Sequence, residues 1–460
     1  MSRVSAHPSF DAFQKRFSGQ LIDERDARYG EARELFNSMI ETRPALIAQC
    51  ATPADVSAAI AFAGDAGLEI AVRAGGHSVA GTSSVEGGIV IDVRPLDQIT
   101  VDPKARRARV GGGVTWGPFD RATQEHGLAT TGGRVSTTGV AGLTLGGGSG
   151  WLERLYGLAC DNLVAVDLVL ANGEQITASK DDHPELFWAL HGGGGNFGVA
   201  TAFEFQLYNV GPIVQAGLLL WGAESGEDVM HAYRDLATEA PEQLATAGVY
   251  LTGPPEEFVP AHLQGQRSVA IAWCYFGSES ESDALIAPLR ALSPEVDLVG
   301  PMPYADFQCM IDDPPGNRNY WSAEYLADFG DDAIAAFVKA SADMPISLSQ
   351  NLIVPWGGAV ARVSDADTPM TNREAAWVFH PFAVWPDAAA DAEHIAWARE
   401  ALATMRKYAT GGIYLNFIGD EGQDRVQAAY GEKNYARLAE VKRQYDPENI
   451  FHRNQNIKPA

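Results

Sequence analysis

Three stretches place side chains capable of chemistry beside glycines or along alternating runs. In VRAGGHSVAGTSSVEGGIVIDV, Val72 to Val93, one histidine, His77, follows two glycines and precedes an apolar strand. Two readings fit it: an ordinary turn residue, or an imidazole that reacts with a large ligand lying against the backbone. Near the C-terminus, in GGIYLNFIGD, alternation along an expected strand puts Tyr414 and Asn416 on one side. A phenol beside an amide serves a hydride-transfer or general-base site, and serves equally as a pair of satisfied core polars. In AAWVFHPFAVW the same alternation turns Trp377, Phe379, Pro381 and Ala383 one way and Val378, His380 and Phe382 the other. His380 is then either a further proton acceptor or a structural histidine.

Glycine marks where such groups could meet a ligand. Residues 75 to 199 hold 25 of the 47 glycines amid many β-branched residues, which describes a folded region that lets backbone approach something closely. GGGNFG, Gly193 to Gly198, matches a dinucleotide fingerprint literally, but a helix is expected before it and a strand after it, and no acidic residue follows at the right distance. A Rossmann reading therefore fails, and a loop offering backbone amides remains. GGRVSTTGVAGLTLGGGSGW, Gly132 to Trp151, has no lysine at phosphate-loop spacing. Its Ser136, Thr137 and Thr138 hydroxyls suit a flat, polar, multi-ring ligand, or a tightly packed set of turns.

The elements that must hold these stretches alternate in the first half. Thr52-Pro53 with Asp55 opens a helix that Gly64 and Gly67 end. Strands are expected at EIAVR, GIVIDV and VATAFEFQL, and a hairpin turns at Asn172-Gly173. After Gly211-Pro212 glycine thins, and long helices near 226–240, 278–292 and 331–343 alternate with aromatic-rich strands, predicting a second domain with helices on one face of a sheet. A length of 460 residues fits two domains. The net charge of −25 disfavours nucleic acid as a partner. Neither a signal peptide nor a run of ~18 apolar residues is found, so no membrane association is expected. Cys50, Cys160, Cys274 and Cys309 lack metal or disulfide spacing and fit free thiols in a cytoplasmic protein.

Taken in order, RAGGHS, GGRVSTTGVAGLTLGGGSGW, YGLACDNL, LHGGGGNFGV, YLNF and DPENIFHRNQNI resemble the berberine bridge enzyme-like FAD-linked oxidases, of the vanillyl-alcohol-oxidase type. The resemblance runs from about residue 40 to the end and is weakest between roughly 213 and 405. It implies an α+β fold: a two-part PCMH-type FAD-binding domain over residues 1–212, a substrate domain with a helix-covered antiparallel sheet over 213–405, and a C-terminal segment, 406–460, returning to the FAD domain. It also implies FAD bonded through its 8α carbon to His77. Backbone amides of Ala74, Gly75, Gly76, Ser78 and Gly81 would hold the diphosphate. Gly139, Gly142 and Leu143 would line the flavin, and Asn196, Gly198 and Val199 would pack near it or its adenosine end. Arg73, Gly133, Val135, Thr137, Thr138, Gly147, Gly148 and Asn454 complete the expected cofactor set. Val135 stands where many relatives carry a second flavin-linking cysteine, and none of the four cysteines is near it in the chain, so a single link is expected. Thr138 replaces a usual valine or isoleucine, which leaves oxygen and another electron acceptor both open.

The function these features imply is removal of a hydride from a C–H next to a hydroxyl or amine of a small organic substrate: a sugar, alkaloid, phenolic or polyketide. Tyr414 is the expected base or orienting phenol, Asn416 its companion and His380 a further acceptor. The chain is expected to act as a monomer or homodimer. Two alternatives stay open: a reductase of related fold with non-covalent flavin, and a non-catalytic binder that keeps the flavin fold.

Overall fold

The computed structural model of the chain describes Val4 and residues 7–364, 366–419 and 421–460. Thr52 caps the helix Pro53–Ala66 by accepting from the Asp55 N–H, and Asp55 returns the contact to the Thr52 backbone. Such a reciprocal cap contributes about 1 kcal/mol. Gly67, at φ +62°, ends the helix in the left-handed region. The chain then runs into Ile70–Arg73 and Ile89–Asp92, which lie parallel in a four-stranded sheet with Leu46–Gln49, with Gln20–Ile22 antiparallel at its edge. Every residue of Ile89–Asp92 is buried, as expected for a parallel strand covered on both faces.

A second, antiparallel sheet orders Ile99–Asp102, Arg107–Gly111, Val199–Gln206, Leu163–Val169 and Gln175–Ser179. The third sheet has nine strands. Ile213–Gly222, Arg267–Tyr275, Leu244–Thr252, Gln350–Pro355, Trp377–Trp385 and Arg318–Trp321 follow one another across it, all antiparallel. One face packs Trp221, Ile271, Trp273, Phe379 and Trp385 under the helices Gly226–Glu239, Glu279–Arg290, Asp331–Ala342 and Asp391–Met405. The other face is turned toward the two smaller sheets. The helix Gln423–Tyr445 bends at Gly431 (φ +68°) and buries Leu438 and Val441 in the core of the second sheet. No described helix is long and apolar enough to cross a membrane.

Candidate active site

Between the three sheets runs one cavity of about 400 Å³. One end lies among Ile70, Val72, Val93 and Ala200, between the two smaller sheets. Its middle is the turn after Arg73. There the backbone N–H groups of Gly75, Gly76, His77, Ser78 and Val79 donate to no other described residue, and these five residues line the cavity. Buried N–H groups are rarely left without an acceptor. A row of them is a concave donor array matched to an anion.

His77 sits at the end of that row. Its Nε2 lies 2.9 Å from the Thr137 hydroxyl and its Nδ1 3.4 Å from that of Thr138, and its ring stacks on Phe36 at 4.1 Å. Burial pushes its pKa down to about 4, so the imidazole is neutral near pH 7 and keeps a lone pair. The turn is pressed onto the second glycine cluster: a Cβ on Gly75 would meet the Gly139 nitrogen at 2.3 Å, and one on Gly139 would meet the Gly75 nitrogen at 2.5 Å. By contrast, a Cβ on Gly142 or Gly195, both on the cavity wall, would meet no atom within 4 Å. Some glycines thus let loops touch, and others leave room for a ligand.

The far end of the cavity is the open face of the nine-stranded sheet. Ala247, Val249, Ala272, Leu352, Val354, His380 and Phe382 line it. Paired register puts Leu352 opposite His380 and Val249 opposite Leu352, so these side chains share one face. Nδ1 of His380 is 2.8 Å from the Ser322 carbonyl, which fixes the proton on that nitrogen and leaves the Nε2 lone pair free. Burial again lowers the pKa to about 4. The ring is clamped against Phe417 at 4.4 Å and edge-on to Trp321 at 6.0 Å.

The structure corrects several expectations. YLNF is not a strand: Leu415–Phe417 forms a 3₁₀ turn after Tyr414. Tyr414 and Asn416 still meet, the Asn416 amide donating to the phenol oxygen at 3.1 Å and to the Leu143 carbonyl at 2.9 Å. Asn416 is on the cavity wall, but Tyr414 is fully buried behind it. The Tyr414 oxygen accepts from the N–H groups of Gly148 at 2.8 Å and Ser149 at 2.7 Å, and burial holds the phenol well above its usual pKa despite these donors. Arg73 is also off the wall. It is 2% exposed and tied to Asp92 at 3.0 Å, because a guanidinium buried under the turn needs a carboxylate more than the cavity does. Gly81, Gly147, Gly148, Asn196 and Val199 are buried off the wall, and Thr137, also off it, is exposed.

The remaining expected residues, Ala74, Gly133, Val135, Thr138, Gly139, Leu143, Gly198 and Asn454, lie on the wall. Cys309, remote from Val135 in the chain, comes beside the Ser136 side chain in space, though its thiol is directed to the Ala305 carbonyl at 3.4 Å. Sequence pattern does not mark Phe36, Asp313 or Trp321. Phe36 and Trp321 carry no motif, and Asp313, in DDPPG, reads as an ordinary turn.

The model of an FAD binding domain matches residues 44–179, and that of the berberine and berberine like family matches 413–458. (R)-6-hydroxynicotine oxidase of Paenarthrobacter nicotinovorans is 32% identical over 460 residues, covering 96% of this chain and 97% of the relative. The chain belongs to the berberine bridge enzyme-like FAD-linked oxidases. A xylooligosaccharide oxidase of Thermothelomyces thermophilus is 27% identical over 92% of this chain and 89% of its own length. The crystal structure of 6-hydroxy-D-nicotine oxidase from Arthrobacter nicotinovorans superposes with a TM-score of 0.88 at 30% identity, covering 96% of this chain and 98% of that one. As a berberine bridge enzyme-like protein, the chain is an FAD-linked oxidoreductase. Its residues fit that cofactor: the unpartnered N–H row of Gly75–Val79 matches a diphosphate, and the open positions at Gly142 and Gly195 leave space along the wall.

Proposed function

We propose that this chain is an oxidase that holds FAD through a single covalent bond to His77 and removes a hydride from a carbon next to a hydroxyl or amine nitrogen of a small organic substrate. The observation that carries the reading is the continuity of the cavity: it leads from the free N–H row, past His77, to Asn416 and the unprotonated Nε2 of His380. Bound FAD supplies the hydride acceptor. The chain's own groups do the rest. The Gly75–Val79 amides hold an anion, the neutral His77 ring offers a nitrogen for the flavin link, and Phe36 fixes that ring by stacking. Forming the link is an oxidation, with two electrons and two protons leaving for the electron acceptor.

His380 is the proton acceptor in this reading, since it lines the cavity and its Nε2 is left without a partner by the Nδ1–Ser322 bond, while Tyr414 positions Asn416 and the Gly148–Ser149 backbone from behind. Relatives named for a hydroxynicotine and for a xylooligosaccharide support a C–H beside nitrogen or oxygen. The test is the intact mass of the acid-denatured protein beside that of His77→Ala. A mass heavier by one FAD, lost in the variant, is expected. Yellow protein of unmodified mass would overturn the covalent link and favour a reductase.

A further inference from the structure

The apolar end of the cavity contains one carboxylate, Asp313, that no described residue neutralises. Asp313 lies on the wall beside Ile311, and no described cation is paired with it. Its loop is pinned on both sides. The neighbouring Asp312 accepts from the Ser136 N–H at 2.6 Å and from the Ser136 hydroxyl at 2.5 Å. Beyond it, Asn317 donates to the Pro314 carbonyl at 3.0 Å, and the Asn317 carbonyl accepts from the Ser38 N–H at 2.9 Å. Preceding Pro314, Asp313 has its backbone restricted to extended conformations. The carboxyl is therefore held on the wall by a loop with little freedom. The wall also carries Trp321 and Phe382, stacked at 4.3 Å.

From these observations, and resting on the oxidase reading above, we infer that Asp313 selects a substrate carrying a cationic amine, with the Trp321–Phe382 pair flanking its apolar body. A sugar needs a dense set of hydrogen-bonding partners, whereas Ala247, Val249, Ala272, Leu352 and Val354 offer none. Aromatic faces and an unpaired carboxylate together match an organic cation. The chemistry agrees with the charge. A secondary or tertiary amine bound as its ammonium would lose its N–H proton by way of the His380 lone pair and on to solvent, since that imidazole is held neutral down to about pH 4. The C–H hydride, with both electrons of its bond, would then go to the acceptor that bound FAD supplies, leaving the substrate as an iminium ion. The substrate is singly positive as it binds and again as it ends, so Asp313 faces a cation in both the bound ammonium and the iminium product. With an alcohol it would face a neutral molecule at both stages.

Burial and the adjacent Asp312 push the free carboxyl of Asp313 up to about 6, so the unliganded site loses its charge below that pH. The two histidines on the wall do not share this window. His77 and His380 are both held neutral down to about pH 4. Arg134 is bonded to Glu153 at 3.0 Å, and Arg453 lies at the opposite end, bonded to the Ser84 carbonyl.

The probes are benzyltrimethylammonium, whose charge does not change with pH and which has no N–H to lose, and the neutral benzyl methyl ether. Each is titrated into purified holoenzyme, with the flavin absorption shift and calorimetry as readouts. Near pH 8 the cation is expected to bind at least about tenfold more tightly than the ether. Asp313→Asn should weaken the cation at least about tenfold and leave the ether within about twofold. In the wild-type protein the cation's affinity should rise between about pH 5 and pH 7.5. A cation that binds no better than the ether, an unchanged affinity in Asp313→Asn, or a wild-type holoenzyme that binds no cation at millimolar concentration overturns the inference. If Asp313→Asn does not fold, the wild-type pH titration decides: a flat profile overturns it. Protein purified without flavin counts against the oxidase reading alone, and calorimetry with the same probes still decides on Asp313.

Discussion

Tyr414 shows how much one oxygen can settle. It receives the Gly148 and Ser149 N–H groups and the Asn416 amide, three donors around a group with two lone pairs, in a fully buried place. A neutral phenol so engaged supports the loop Gly146–Gly150 and is poorly disposed to take a proton from a substrate. His380, with Nδ1 committed to Ser322, has the free lone pair. The two roles separate on substitution. Tyr414→Phe leaves two buried N–H groups unpaired, at about 1–3 kcal/mol each, so its melting temperature should fall while kcat drops less than about tenfold. His380→Asn should keep the melting temperature within a few degrees and lower kcat by about 10²–10⁴, the usual worth of a positioned acid or base. Steady-state kinetics on any substrate that bleaches the flavin provides the check. The reverse pattern, with kcat lost in Tyr414→Phe and kept in His380→Asn, would return the proton-accepting role to the phenol.

At the level of elements, motifs far apart in the chain prove to be two halves of single junctions. The glycine loop at Asn196 and the terminal DPENIF are joined by Lys442. Its ammonium, fully buried, donates to the Asn196 carbonyl at 2.6 Å, the Asp446 carboxylate at 2.6 Å and the Phe451 carbonyl at 2.9 Å. Asn196 in turn accepts from the Ile457 N–H at 2.9 Å. Lys442→Met would strand the Asp446 charge, a loss of about 3–5 kcal/mol. Thermal unfolding of the holoenzyme should register it as a fall of several degrees, and an unchanged midpoint would refute this account of the junction. Periodicity reveals elements better than it reveals such junctions. The cap at Thr52, the hairpin at Gly173 and the facing of His380 and Phe382 follow from local rules of spacing and turn chemistry. YLNF misleads because four residues are too few to distinguish alternation from a 3₁₀ turn. Arg73 misleads because its ion-pair partner, Asp92, lies on a neighbouring strand that sequence spacing does not bring to it. Asp313 is invisible for the same reason, since its position depends on a loop docking to Ser136 from the other sheet system.

For the molecule as a whole, the cavity exists because the open face of the nine-stranded sheet closes over two smaller sheets, so the contacts between these parts bear on the site directly. One of them titrates. Asp120, on the helix Trp116–Gln124, is 3% exposed and accepts from the Gln308 amide at 3.0 Å. The same amide reaches the Gly133 carbonyl, on the cavity wall, at 3.3 Å. Burial pushes the Asp120 carboxyl up to about 7 from an ordinary 3.8, against the opposing effects of Gln308 and Arg121. Between those two values the folded protein holds a proton that the unfolded chain has released. Stability from this group is therefore fully present below about pH 4, falls as pH rises to about 7 and is level above it, a span worth up to about 4 kcal/mol. Asp120→Asn keeps an acceptor for Gln308 but has nothing to ionise. Its melting temperature should match the wild-type value near pH 4, exceed it increasingly up to about pH 7, and stay above it by a constant margin at higher pH. Melting curves of both holoenzymes across that range measure the difference, and parallel curves would mean that Asp120 is ionised in the folded state and that the junction does not respond to pH.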